Sequence, residues 1–298
     1  MSEEPDLGLE DPLIAMCDKY THKELINNVS AVKIATEQTL RDFEADGVVH
    51  CEIRTTPRAF EQTNMSKDNY VDTIVGVIER HNIQSTKMKA YLILSIDRRN
   101  TVAEADEVVD LALKYQSRGV IGVDLCGDSL CGDISIFKPS YARAKEHGLH
   151  ITLHFGEEPS CVPELMTLLS YNPTRLGHLL FISDEAREEI IRRKLGIELC
   201  LTSNIKGPHI PSYEKHHLPQ WLKEDCPIAL CTDNAGVNDT PGSTEYFLAS
   251  KYFSLSYFRL WKIAMSGVDA TFVSDAEKKA LRSKFVEWKE GPGSRWIK

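Results

Sequence analysis

The chain alternates short apolar runs with amphipathic segments over most of its length. The apolar runs are rich in Val, Ile and Leu, as is typical of strands that are buried on both faces. The candidate strands are 48–54, 89–97, 119–127, 149–156, 174–181, 197–204 and 227–234. Charged segments of helical period lie between them, as at 67–82 and 101–118. Buried strands that alternate with helices indicate a parallel sheet and an α/β fold.

Length and composition narrow the class of protein. An α/β barrel of 298 residues can form without division, and no linker rich in Pro, Gly or Ser interrupts the sequence. We therefore expect a single domain over residues 1–298. The net charge of −9 and the pI near 5.6 argue against nucleic acid or an anionic membrane as a partner. A small anionic ligand stays possible, since a few local cations can bind one.

Cysteine usage and the absence of long apolar runs bear on the compartment. The eight cysteines include no C-x-x-C pair, which predicts reduced thiols in a cytoplasmic protein. No run approaches membrane-spanning length, and the acidic first twelve residues do not have the pattern of a signal peptide. We expect a cytoplasmic monomer.

Polar residues close the apolar runs. These residues are Arg54, Asp97, Asp124, Gly127, His154, His178, Asn204 and Asp233. In a (β/α)₈ barrel the carboxyl ends of the strands form the face on which the active site is built. The sequence therefore predicts that His154, Glu157, His178 and Asp233 share one mouth.

Two histidines and two carboxylates around one mouth suit a hydrolytic site. Imidazole and carboxylate groups are ligands of Zn²⁺, which lowers the pKa of a bound water toward neutrality. A neighbouring histidine can accept a proton, and a carboxylic acid can donate one. The sequence carries no G-x-S-x-G elbow, phosphate-binding loop or Gly-rich dinucleotide turn.

Four ordered motifs resemble those of the adenosine deaminase superfamily. They are HFGE (154–157), RLGH (175–178), CLTSN (200–204) and CTDN (231–234). The stretches CEIRTTPR (51–58), LILSIDRR (92–99) and GVDLCGD (122–128) are similar to the adenosine-deaminase-like branch. That branch deaminates N6-methyl-AMP and related N6-substituted purine nucleotides to IMP. The resemblance extends from about residue 43 to about residue 285 and implies a zinc-dependent barrel enzyme.

The resemblance implies roles for the residues of the mouth. His154 and Asp233 match zinc ligands. Glu157 matches the acid that protonates the purine N1, and His178 matches the histidine that receives a proton from the attacking water. Asn234 stands where the family has an Asp that contacts purine N7, and its amide can donate to that acceptor.

Further positions match residues that contact the nucleotide. They are His22, Thr55, Thr56, Pro57, Arg58, Asp97 and Gly127. The planar guanidinium of Arg58 suits a phosphate dianion. An alternative interpretation, a surface arginine after a proline turn, stays equally open.

One departure from the family is large. The first strand of the family's barrel carries an H-x-H pair that supplies two zinc ligands, whereas this chain has ten histidines and no H-x-H. Seven candidate strands are present where closure needs eight. His216 and His217 are no substitute, because adjacent strand residues point to opposite faces. We predict an incomplete barrel in which 48–54 and 227–234 flank a gap, produced by splicing, an alternative start or an incomplete gene model.

Three interpretations are open at this point. The first is a zinc-dependent N6-methyl-AMP deaminase by descent, in a shortened form. The second is a catalytically impaired relative that binds a nucleotide or a partner, or a fragment without function. The third, an unrelated metal-independent barrel enzyme, would make the ordered residues at the strand ends a coincidence.

Overall fold

The computed structural model describes residues 26–297, and seven parallel strands form one sheet in them. The strands are β1 (His50–Thr55), β2 (Lys89–Asp97), β3 (Val120–Cys126), β4 (His150–Phe155), β5 (Arg175–His178), β6 (Gly196–Leu199) and β7 (Ile228–Leu230). Each of the seven candidate strands overlaps one of them. None of the helices within residues 26–297 is long and apolar enough to cross a membrane.

Helices separate the strands. They are α1 (Val29–Ala45), α2 (Lys67–Gln84), α3 (Val102–Lys114), α4 (Lys138–Glu146), α5 (Leu165–Leu169), α6 (Asp184–Arg193), α7 (Leu201–Lys206) and α8 (Leu218–Trp221), followed by α9 (Ala235–Asn238), α10 (Gly242–Phe253), α11 (Tyr257–Ala270) and α12 (Asp275–Glu290). Side chains of polar residues start several of them. Ser66 accepts a hydrogen bond from the backbone N–H of Asn69 at the start of α2, and Thr101 and Glu104 form a capping box on α3.

The strands pair in chain order, from β1 to β7, each parallel to the next. Ile53 lies opposite Leu92 across β1 and β2, and His154 lies opposite Gly177 across β4 and β5. Parallel strands in this order, joined by helical connections, curl into a barrel. Within residues 26–297, however, no pairing joins β7 to β1. The fold is a curled, open half-barrel, and the predicted incomplete (β/α)₈ barrel is confirmed.

Two boundaries differ from the prediction. The candidate strand 197–204 ends at Leu199, and α7 begins two residues later. The buried carboxylate of Glu245 accepts a hydrogen bond from the backbone N–H of Thr202 at 3.2 Å, which stabilises the start of α7. The sequence also predicts a helical segment around 244–265, whereas the structure divides it into α10 and α11 at Ser254, whose φ is 52°. Both corrections depend on contacts that sequence periodicity does not contain.

Five charged side chains form a continuous ladder inside the curled sheet. The guanidinium of Arg175 pairs with Glu52 and Glu198, and that of Arg54 pairs with Glu198 and with Asp124, the latter at 3.4 Å. The side chains of Arg175, Glu52, Glu198 and Asp124 are at most 7% exposed. Because these residues come from β1, β3, β5 and β6, the ladder connects β1 to strands across the interior.

The ladder predicts how acid affects stability. Burial opposes ionisation, but Arg175 at Glu52, and Arg54 with Arg175 at Glu198, outweigh it and lower each pKa from 4.5 to about 2. In the unfolded chain these carboxyls regain protons below about pH 4.5, while the folded state keeps them ionised down to about pH 2. Their contribution to stability is therefore present above pH 4.5 and lost as the pH falls toward 2.

Glu52→Gln is expected to lower the free energy of unfolding by about 3 kcal/mol at neutral pH, since it leaves Arg175 with one carboxylate fewer. The pH dependence between 4.5 and 2 should also flatten. Urea unfolding at a series of pH values measures both effects. Glu189→Gln, which changes a surface carboxylate paired with Arg192, is the control and should leave both unchanged. An unaltered pH profile in Glu52→Gln would contradict the assignment.

Candidate functional site

A tight turn after β4 places Glu157 at the mouth of the half-barrel. Gly156 has a φ of +66°, and a Cβ at this position would lie 2.5 Å from the carbonyl oxygen of Phe181. Both the backbone conformation and the close approach require glycine. The strand therefore ends at Phe155, and the carboxylate of Glu157 reaches 3.6 Å from His178 Nε2.

His154 is held by a carboxylate from the neighbouring strand. Its Nδ1 lies 3.2 Å from Oδ1 of Asp124, which is fully buried and also accepts a hydrogen bond from the hydroxyl of Ser95. Burial disfavours a charge on His154, but Asp124 outweighs it and raises the pKa of His154 to about 9. Because Nδ1 is occupied by Asp124, Nε2 is the nitrogen that His154 can offer to a ligand.

The two other strand-end residues have unusual backbone conformations. His178 has a φ of 70° and Asp233 a φ of 56°, in the left-handed region that non-glycine residues rarely adopt. The His178 ring lies 5.1 Å from the His154 ring between centroids. The Asp233 carboxylate accepts a hydrogen bond of 2.6 Å from the hydroxyl of Ser203.

His154, His178 and Asp233 line one cavity of about 670 Å³, together with Asn234. The cavity extends from the mouth down the gap between β1 and β7, where helices α1, α11 and α12 also contribute to its wall. Three of the four residues that the sequence grouped at one mouth therefore line this cavity, and Glu157 lies beside one of them, His178.

The predicted nucleotide-contacting residues follow β1, β2 and β3. Thr55 Oγ1 lies 2.6 Å from the hydroxyl of Tyr70, and Thr56 Oγ1 lies 3.3 Å from the sulfur of Cys126. Pro57 is buried, and His22 lies outside the described residues. Thr55, Thr56, Pro57, Arg58, Asp97 and Gly127 are not part of the cavity wall.

Arg58 and Asp97 differ in their surroundings. Arg58 is half-buried and forms no ion pair or hydrogen bond with any other residue of 26–297. Asp97 accepts a hydrogen bond of 2.7 Å from Nε of Arg99 and also pairs with the rest of that guanidinium. Gly127 packs on Asp97, because a Cβ there would lie 2.6 Å from Asp97 Oδ1. Arg58 is thus a cation with its full donor set available to a ligand.

His154 and Asp233 do not complete a metal site. A catalytic zinc normally has at least three protein ligands. Between residues 26 and 297, no group of three or more His, Cys, Asp or Glu side chains could hold a metal ion. The Asp233 carboxylate is exposed and bonded to Ser203. The described residues therefore do not fit a tightly bound zinc.

The family model for adenosine deaminase matches residues 10–288 of this chain. The chain belongs to the adenosine deaminase family. Members of this family are deaminases, which are hydrolases, and the family is one of metalloenzymes.

Several named proteins of this family are similar to the chain. The N6-mAMP deaminase of Arabidopsis thaliana is 36% identical over 285 residues, which cover 89% of this chain and 80% of the relative. The human N6-methyl-AMP deaminase is 30% identical over 307 residues, with 96% and 86% covered. The crystal structure of Arabidopsis ADAL complexed with IMP matches with a TM-score of 0.85, at 36% identity, over 90% of this chain and 80% of that one.

Sequence reasoning gave no role to two residues behind His178. Asn204, on α7, and His216 are both buried. One hydrogen bond joins His216 to Asn204, and a second joins Asn204 to Nδ1 of the His178 ring. The signal available was the adjacent pair His216–His217 in an otherwise polar loop. Strand geometry does not apply to this pair, because His216 and His217 lie in the turn before α8.

Gly156→Ala should destabilise the fold by about 1–3 kcal/mol and move Glu157, because the added Cβ meets a backbone carbonyl and φ is positive. The measurement is the midpoint of urea unfolding. Gly76→Ala is a matched control within α2, where the new Cβ meets only the end of the Arg80 side chain at 3.7 Å. That variant should be neutral or stabilised by up to about 1 kcal/mol. Equal midpoints for Gly156→Ala and the unchanged chain would contradict the role of the turn.

Proposed function

We propose that this chain is by descent a zinc-dependent N6-methyl-AMP deaminase, acting on N6-substituted purine nucleotides to give IMP and an amine. The observation that carries the proposal is the convergence of Glu157 and His178 beside His154 at one mouth. Relatives that are 30–36% identical are named for this reaction, which supports the same substrate class here. We further propose a monomeric cytoplasmic protein, and this stays a prediction.

The reaction is a hydrolysis at C6 of the purine. Glu157 donates a proton to N1, which makes C6 electrophilic. The oxygen of a water molecule adds to C6 and gives up both of its protons, one to the Glu157 carboxylate and one to the amine nitrogen, and the C6–N6 bond breaks as the amine leaves. The product carries a carbonyl oxygen at C6, which is IMP when the substrate is N6-methyl-AMP. The position of Glu157 after the Gly156 turn supports its role as the acid.

The nucleotide is proposed to lie between the mouth and the loop that follows β1. Arg58 has no intramolecular partner within residues 26–297, so its guanidinium can pair with the 5′-phosphate. Asn234 is exposed to the cavity and can donate its amide to N7. Thr55, Thr56, Pro57, Asp97, Gly127 and His22 are proposed to complete the contacts. Arabidopsis ADAL has been crystallised with IMP and with GMP, which supports a purine nucleotide as the ligand class.

Zinc is the proposed cofactor, with His154 and Asp233 as the ligands that this chain contributes. Bound to an intact site, zinc supplies a nucleophilic hydroxide near neutral pH. Two protein ligands fall short of the three that a catalytic zinc needs, so affinity should be far below that of a complete site.

The purified 298-residue chain is therefore expected to retain little zinc and to convert N6-methyl-AMP poorly. General acid and base groups alone contribute only about 10²–10⁴-fold each. The measurements are zinc per chain by elemental analysis and IMP formation. A chimaera that adds a strand with H-x-H in front of this chain should raise both together. Near-stoichiometric zinc with robust turnover in the unextended chain would refute the prediction that two protein ligands are too few.

Nucleotide binding is expected to depend on Arg58 through the phosphate. Arg58→Gln should weaken IMP about tenfold or more, since a charge-assisted pair is lost, and leave the weaker binding of inosine unchanged. Calorimetric titration measures both ligands. Arg192→Gln, at a surface arginine that is 70% exposed, is the matched control. An equal loss for IMP and inosine would show that Arg58 does not contact the phosphate.

The mouth contributes only two proposed metal ligands among the described residues. This favours a second candidate function, a nucleotide-binding protein of low or no activity. Arg58, Asn234 and Glu157 are all present for binding, whereas the metal ligands are not complete. The two candidates differ in one result. IMP that binds without turnover of N6-methyl-AMP supports the binding protein, and turnover at saturating substrate supports the enzyme.

A further inference from the structure

A chain of buried hydrogen bonds behind His178 begins at a backbone amide. The N–H of Leu218 points at Nδ1 of His216, at 3.0 Å. A backbone N–H can only donate, so Nδ1 of His216 carries no proton. Burial and the neighbouring His217 lower the pKa of His216 to about 3, which agrees with a neutral ring. The single proton of a neutral imidazole must then sit on Nε2.

The next bond orients an amide. Nε2 of His216 lies 3.0 Å from Oδ1 of Asn204, and both residues are buried. Because Nε2 carries the proton, it donates, and the Asn204 oxygen accepts. The opposite orientation of the amide would place two donors against each other between two buried side chains. The Nδ2 group of Asn204 must therefore face away from His216.

Nδ2 of Asn204 faces His178, with its nitrogen 3.2 Å from Nδ1 of that ring. An amide NH₂ has only protons to offer, so Nδ1 of His178 is an acceptor and carries none. In the neutral ring the proton is then on Nε2, the nitrogen that lies 3.6 Å from the Glu157 carboxylate. The tautomer of His178 is thus fixed by a backbone N–H three groups away.

A separate contact holds the backbone of the same residue. Nε2 of His217 donates to the carbonyl oxygen of His178 at 2.7 Å, and the His216 and His217 rings stack with centroids 4.3 Å apart. This contact supports the left-handed conformation of His178, whose φ is 70°, but touches neither ring nitrogen. The ring and the backbone of His178 are therefore held by two different histidines.

We propose that Asn204 and His216 are positioning residues that hold His178 as a neutral imidazole with its proton on Nε2, so that His178 meets the C6 oxygen as a hydrogen-bond donor. This differs from the proton-accepting role that the family resemblance implies. A ring with Nε2–H has no lone pair there to take a proton. It can instead stabilise the oxygen that becomes bonded to C6 and bind O6 of the product. The tautomer is independent of the proposed function, whereas the contact to O6 rests on it.

The test is nitrogen-15 NMR of the full chain labelled at histidine, with the His178 signals identified by their loss in His178→Gln. We expect the signature of an unprotonated Nδ1 and a protonated Nε2. Asn204→Asp places an acceptor against Nδ1 and should move the single proton of the neutral ring from Nε2 to Nδ1. Protonated Nδ1 in the unchanged chain would overturn the proposal, and of the variants this measurement needs only His178→Gln, for the identification of the signals.

Two comparisons separate positioning from structural effects. His217→Gln alters the neighbouring ring without touching either nitrogen of His178, so the tautomer should stay the same. His216→Phe removes the anchor and should give a mixture of tautomers. The proposed role of the Asn204–His216 hydrogen bonds would be refuted by an unchanged single tautomer of His178 in His216→Phe. It would also be refuted by a changed tautomer of His178 in His217→Gln.

Titration with IMP tests the second half of the proposal. Asn204→Asp should weaken IMP about tenfold, because the Nε2 donor to O6 is lost. IMP should also shift the Nε2 proton signal in the unchanged chain. Binding without that shift overturns the contact to O6. If IMP does not bind at all, the proposed function fails, and so does the contact, while the tautomer reading stands or falls on the ligand-free spectrum.

Discussion

The buried ladder of alternating charges is the interaction on which the half-barrel depends. Since no pairing joins β1 to β7 within residues 26–297, β1 has backbone hydrogen bonds to β2 alone among the strands. Glu52 and Arg54, two residues apart on β1, reach instead across the interior to Arg175, Glu198 and Asp124. Removing such charges from water costs free energy, and breaking one pair would leave a buried charge without a partner. The ion pairs therefore hold β1 in one position relative to the strands across the interior. The same Asp124 that ends the ladder holds His154, which joins the stability of the barrel to the shape of the mouth.

Much of this fold could be predicted from the sequence, because apolar runs and helical periods record burial directly. Every candidate strand is present, and the strand-end residues His154, His178 and Asp233 line one cavity. The prediction that β6 reaches Asn204 is wrong after Leu199. The carboxylate of Glu245, which lies 41 residues beyond Asn204, stabilises the start of α7. The inward position of Glu52 and Arg54 follows from strand alternation, but their partners do not. Long-range ion pairs and the Asn204–His216 contact depend on the curled shape of the sheet, which no local pattern contains.

The mouth separates two requirements of hydrolysis. The groups that are proposed to bind a purine nucleotide and to protonate it lie among the described residues. Glu157 is beside His178, and Arg58 has no partner within residues 26–297. A complete set of metal ligands does not lie among the described residues, because His154 and Asp233 remain alone. The protein is accordingly interpreted as a family member whose ligand recognition does not depend on a complete metal site. His178, fixed from behind by a neutral amide, is consistent with a site built to donate to an oxygen at C6.

The most direct test of this account is the affinity for IMP of chelator-treated chain, measured by calorimetry with and without one equivalent of zinc. Because the proposed contacts to the nucleotide come from protein side chains alone, the dissociation constant should be the same in both titrations. The site would then bind its nucleotide through the proposed contacts of Glu157, His178, Asn234 and Arg58. An affinity that appears only after zinc is added, or that rises about tenfold with it, would contradict the account and would mean that a complete metal site forms in this chain.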